Sequence, residues 1–153
     1  MRKGEACRRL EFHRRADAGP SGPSRHRPRI DATGILRRLP GSITDGTLDW
    51  CSETAAACLA WSPLGGGRLA DGGARNAQEE RVSATLNAMA DKYSVSTAVT
   101  ALAFVLKHQA NIIPIIGTQT PARIREAAAA AQLEISARDF YDIIEAWRGV
   151  PMP

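Results

Sequence analysis

Over the second half of the chain, apolar residues recur at helical spacing. Val82, Leu86, Met89 and Tyr93 predict one amphipathic helix from about residue 77. Val99, Leu102, Val105 and Leu106 predict a second, with Ser96 as its N-cap. That helix carries almost no charge before Lys107, so it is expected to be well buried. Thr120 and Pro121 read as an N-cap followed by proline at the first helical position, opening a helix through the alanines at 127–131. Ser136 and Asp139 read as a capping box for a last helix over 137–148, with Phe140, Ile143, Ile144 and Trp147 as its buried stripe. Gly149 and Pro151 stop it. Upstream, Leu48, Cys51 and Ala55 give a short stripe for a helix over 44–56.

Two stretches break the helical pattern. Residues 57–62 read as a strand ended by Pro63, and residues 112–116 as a strand apolar at almost every position. Such a run predicts a parallel strand covered on both faces. Pro114 removes one ladder donor and argues against a central place. Each strand runs into a glycine-containing loop. The first stretch is LAWSPLGGGR at 59–68, and the second is IIPIIGTQTPARIR at 112–125, which passes straight into a helix. Gly65, Gly66 and Gly67 let the backbone approach a ligand closely. The order helix–strand–helix–helix–strand–helix–helix is that of an α/β protein that handles phosphate.

Composition changes the picture only at the N-terminus. The chain of 153 residues is long enough for one domain with a core. Its net charge of +4 is unevenly spread: residues 1–40 carry 11 Lys and Arg against 4 Asp and Glu, and the rest carries 9 against 12. Residues 1–43 are rich in Arg, Pro and Gly, and they bury too little apolar surface to offset their ordering entropy. A solvated, disordered head is the expectation. Arg25, Arg27 and Arg29 leave open a nucleic-acid-binding arm, and the aperiodic text leaves open an out-of-frame coding segment. Order is expected to begin near Thr44, giving a head over 1–43 and a body over 44–153.

Cys7, Cys51 and Cys58 have no metal or C-x-x-C spacing, and His13, His26 and His108 share no metal spacing with any acid. Free thiols in a reducing cytoplasm are the expectation. No apolar run reaches the roughly 18 residues of a membrane span, and the N-terminus lacks the apolar region of a secretory signal. No P-loop or Ser-His-Asp arrangement is found.

The Trp-Ser-Pro-Leu-Gly-Gly-Gly loop, the Ile-Ile-Pro-Ile-Ile-Gly-Thr strand and Arg123, in that order, resemble the last strand–loop units of an aldo-keto reductase of the bacterial type. The resemblance covers roughly 110 residues, 44–153. It implies the C-terminal fragment of a (β/α)8 TIM barrel, with 57–62 as strand seven and 112–116 as strand eight. A whole barrel needs roughly 250 residues, and its phosphate sites tend to follow strands seven and eight.

By this resemblance Trp61 stacks on the nicotinamide of NADP(H); without it, Trp61 reads as a core aromatic. Ser62, Pro63, Leu64, Gly65 and Gly66 form the loop that meets the pyrophosphate, and Gly117, Thr118 and Gln119 lie at the adenosine 2′-phosphate end. Arg123 meets that phosphate or stacks on adenine, roles that suit a planar fork; otherwise it is a solvated residue at a helix start. Two positions depart from the family pattern: Gly117 stands where many members have Lys, and Ala127 where many have Asn. Both departures weaken the expected grip on phosphate.

The family reaction is hydride transfer between NADPH and a small carbonyl substrate, with a tyrosine acid tuned by lysine, aspartate and histidine. Those residues come from the first half of the barrel, and no segment here matches it. Lys92, Tyr93, Tyr141 and His108 fall on or beside predicted helices and are expected to be structural. No catalytic residue is assigned. The resemblance therefore implies a truncated reductase that keeps part of the cofactor cradle. The alternatives are a nucleotide-binding half-barrel that works only when assembled with another chain, and a nucleic-acid binder using the head. Two strands cannot close a barrel, so self-association through exposed barrel edges is a further expectation.

Overall fold

The computed structural model describes residues 30–33 and 41–152. Three parallel strands form one sheet in the order β1 (Ile30–Thr33), β2 (Ala57–Trp61) and β3 (Ile112–Ile115). Parallel neighbours need long crossovers, and helices supply them. Between β1 and β2 lie α1 (Gly41–Thr44) and α2 (Thr47–Glu53). Between β2 and β3 lie α3 (Arg68–Asp71), α4 (Ala77–Tyr93) and α5 (Thr97–Lys107). After β3 come α6 (Pro121–Ala129), a 3₁₀ turn (Ala130–Gln132) and α7 (Ala137–Arg148).

Two sequence expectations change here. Ile30–Thr33, inside the expected head, pairs along β2 with Ile30 opposite Ala57 and Thr33 opposite Ala60. Its four residues, Ile-Asp-Ala-Thr, are too few to show a period of two. The strand is therefore a third one, beside the two expected. Residues 1–29 and 34–40 of the head lie outside the described residues, including the basic arm at 25–29, Cys7, His13 and His26. The helix expected over 44–56 is α2, which begins only at Thr47, and Thr44 instead ends the separate α1. Asp45-Gly46 makes the break: Gly46 has φ +80° and Thr47 N–H donates to Asp45 Oδ1 at 2.9 Å.

The other helix ends follow local chemistry. Asn76 caps α4 by accepting from Glu79 N–H at 2.8 Å, and Ser96 caps α5 by accepting from Val99 N–H at 3.3 Å. Thr120 precedes α6 without a side-chain cap bond, and Pro121 sits at its start. Gly149 ends α7 at φ +74°.

The core is organised around α5. Residues 99–105 of this helix are all buried, because α3, α4, α6, the 3₁₀ turn and β3 pack against it from several sides. Phe104 stacks on Phe140 of α7, with ring centroids 4.8 Å apart. Cys58 and Ala60 of β2 and Ile112 of β3 face this core. The opposite face of the same two strands is different. Register pairs Leu59 with Ile113 and Trp61 with Ile115. Trp61, Ile113 and Ile115 are 43%, 46% and 44% exposed. The expectation that 112–116 is covered on both faces is thereby corrected: helices cover one face, and no described residue covers the other.

Candidate functional site

β2 and β3 are adjacent and parallel, so the loops that follow them leave from the same end of the sheet. The two glycine-containing loops, about fifty residues apart in sequence, are brought together by this pairing. Trp61 is the last residue of β2, opposite Ile115, and its indole stands on the open face.

The loop after β2 turns tightly. Ser62 has φ +52°, and Gly65, Gly66 and Gly67 have φ of +61°, +74° and +90°. Three consecutive left-handed residues require glycine, since a Cβ there meets the following carbonyl. Ser62 in the same region is a non-glycine exception of the kind that clusters at binding sites. Gly65 N–H donates to Ser62 O at 2.9 Å and Gly67 N–H to Leu64 O at 3.0 Å. Pro63 and Gly65 are buried, Leu64 is half-buried against the core, and Gly66 is exposed.

Arg68 follows the three glycines. Its Nε and Nη2 donate to Glu79 of α4 at 3.3 and 3.1 Å. Glu79 also accepts from Arg75 N–H at 2.9 Å, and the Arg68 guanidinium holds its carboxyl below the usual value. A glycine-rich loop gives no sequence signal for such a pairing, because the partner is 11 residues away across another loop.

After β3, Gly117 and Gln119 are exposed, Thr118 is half-buried, and Thr118 Oγ1 accepts from Thr120 N–H at 3.2 Å. A Cβ on Gly117 would meet nothing within 4 Å. Arg123 is exposed on α6, a helix with no buried residue of its own. The residues on the two loops thus leave open, glycine-lined backbone at the strand ends, flanked by one exposed indole and two arginines. That donor set fits a dinucleotide: an aromatic plane, close backbone approach and cationic forks.

The remaining titratable groups lie elsewhere. Asp139 is buried at the start of α7 and accepts from Lys92 Nζ at 2.9 Å to both oxygens, from Tyr93 OH and from Ser136 Oγ at 2.6 Å. Those hydrogen bonds hold its carboxyl far below the usual range, although burial opposes them. The expected capping box is half formed. Ser136 Oγ accepts from Asp139 N–H at 3.1 Å, but Ser136 N–H donates to Tyr93 OH instead of to the Asp139 carboxylate. Lys92, Tyr93 and Asp139 are therefore a clasp between α4 and α7. Tyr141 is exposed on α7. His108 ends α5, where its Nδ1 accepts from Ala110 N–H at 3.1 Å and burial lowers its pKa. It borders a small apolar void with Leu48, Phe104 and Ile112, on the covered side of the sheet. Among the described residues, no group of His, Cys, Asp and Glu could hold a metal, and no helix is long and apolar enough to cross a membrane.

The chain is similar to known oxidoreductases. It is 39% identical over 109 residues to a 6-dehydroglucose reductase of Novosphingobium aromaticivorans, covering 71% of this chain and 35% of that one. To a 6-dehydroglucose reductase of Agrobacterium fabrum it is 31% identical over 102 residues, covering 67% and 33%. The chain thus spans about a third of the length of these curated relatives. Among solved structures, a thermostable aldo-keto reductase crystallised with the inhibitor epalrestat superposes with a TM-score of 0.63 at 19% identity, over 76% of this chain and 39% of that one. The family model described as Aldo/keto reductase family matches residues 42–148, and the chain belongs to that family.

Proposed function

We propose that this chain forms the cofactor-binding C-terminal part of an NADP(H)-dependent aldo-keto reductase. The observation that carries this reading is the shared exit of the two loops from the parallel β2–β3 pair. It gathers Trp61, Ser62, Pro63, Leu64, Gly65 and Gly66 with Gly117, Thr118, Gln119 and Arg123 at one end of the sheet. In this reading β2 and β3 are strands seven and eight of the barrel. When bound there, the nicotinamide would supply hydride to a carbonyl carbon. Trp61 offers its exposed ring to the nicotinamide, and the 62–67 backbone approaches the diphosphate. Arg123 meets the adenosine end as a planar fork.

The proton donor for the carbonyl oxygen comes from other strands of the barrel. The tyrosine–lysine–aspartate set present here is hydrogen-bonded to itself as a clasp between α4 and α7. The exposed face bearing Trp61, Ile113 and Ile115 supports a related reading, in which further strands must close over it before the site works. In both readings the compartment is a reducing cytoplasm.

A thermal-shift titration of the chain with NADPH, and NADH in parallel, tests the reading. A ligand that binds only the folded state stabilises it by about 2.7 kcal/mol at a hundredfold excess over Kd. For a body of this size that raises the midpoint by roughly 10 °C. A transition blind to both dinucleotides refutes the cradle. NADPH-dependent carbonyl reduction by the chain alone refutes the assignment of the proton donor to other strands.

A further inference from the structure

We propose that Arg68 is a phosphate-binding residue, its guanidinium pinned by Glu79 so that the free edge faces the glycine loop. This rests on the cradle reading above and adds to it a residue that neither the motif nor the comparisons assign.

A guanidinium has two bidentate edges, Nε with one terminal nitrogen and the two terminal nitrogens together. Glu79 occupies the first, taking Nε at 3.3 Å and Nη2 at 3.1 Å. The second edge lies along the glycines. A Cβ built on Gly65 would stand 3.6 Å from Arg68 Nη2, and one built on Gly66 would stand 3.5 Å from Nη1. Those are ordinary contact distances, so the unused edge lies directly beside the two glycines, on the side where neither carries a side chain. Nη1 makes no hydrogen bond within the described residues, so both of its N–H groups are available, with one more on Nη2. That edge matches the spacing of two oxygens on a phosphate or diphosphate.

The anchor explains why the guanidinium is in place before any ligand arrives. The Arg68 stem packs on Gly73, where a Cβ would stand 3.5 Å from Cγ. Glu79 is itself fixed, accepting from Arg75 N–H and donating its own N–H to the Asn76 cap. A fork held in advance loses little side-chain entropy on binding. The ligand class is a diphosphate ester, and inorganic pyrophosphate carries the same recognition element.

The test measures binding of NADPH, inorganic pyrophosphate and adenosine 2′-phosphate to the full chain and to R68M and E79Q. One lost charge-assisted bidentate contact predicts that R68M binds NADPH and pyrophosphate about 30-fold more weakly. Adenosine 2′-phosphate, which lacks the diphosphate, should bind R68M as it binds the parent. E79Q keeps the fork and releases its anchor, so it should lose only about threefold. Where the parent binds NADPH, equal binding by R68M overturns the proposal. Equal losses for all three ligands in R68M, or an E79Q loss as large as that of R68M, make Arg68 a scaffold residue and also overturn it. If the parent binds pyrophosphate through Arg68 but not NADPH, the cradle reading falls and this site stands. If it binds neither, both fall.

Discussion

Asp139 shows how one side chain can belong to two structures at once. Its backbone N–H completes the Ser136 cap of α7, and its carboxylate ties α7 to Lys92 and Tyr93 of α4. Asp139→Asn keeps the shape and removes the charge that three donors address. It should destabilise the fold by about 2–3 kcal/mol, read as a lower urea midpoint. Because its folded pKa is depressed, this contribution is present above the ordinary value near 3.8 and is lost as pH falls below it. His108 acts in a higher window with the same sign. Burial lowers its pKa, and its Nδ1 must be unprotonated to accept from Ala110 N–H. The folded state therefore disfavours the imidazolium, and stability should fall as pH drops from the ordinary value of 6.5 toward 5. Asp49 opposes this only in part. Urea midpoints at pH 7.5 and 5.0 should differ for the parent and differ less for His108→Asn.

Among the elements, α5 contributes more buried core residues than any other, and its seven consecutive buried residues explain its low charge. Phe104→Ala removes the ring stacked on Phe140 and leaves a cavity beside the existing void. The expected cost is about 3–5 kcal/mol, which should abolish the cooperative melt of so small a body. Helices α4, α5 and α7 were legible because their signals are local: an apolar period of 3.6, a serine cap, a terminal glycine. Strand β1 was not. Its four residues hold no period, and only pairing with β2 makes it a strand. The stretch Thr44-Asp45-Gly46-Thr47 was legible as a helix start, with the stripe of Leu48 and Cys51 after it; what it did not show is the short helix Gly41–Thr44 before it.

At the level of the whole molecule, β2 and β3 are apolar on both faces, and the described residues cover one of them. Trp61, Ile113 and Ile115 form a surface suited to further strands, and the chain alone should associate through it. Ile113→Lys combined with Ile115→Lys should weaken that association about tenfold or more, seen by sedimentation as a shift toward monomer. The residues of the two loop motifs could be read from the sequence because each loop keeps its own spacing. What the sequence by itself determined was the set of helices after residue 76, the two motif-bearing strands and the glycine demand of the 62–67 turn. Bonds between residues three or four apart and single φ values are fixed by neighbours, so they can be read from neighbours. Tertiary structure alone decided that Arg68 meets Glu79, that Asp139 meets Lys92 and Tyr93, and that Trp61, Ile113 and Ile115 are left exposed by the described residues. Those outcomes depend on which distant segments the folded chain brings within about 3 Å, the reach of a hydrogen bond, and no local period encodes that.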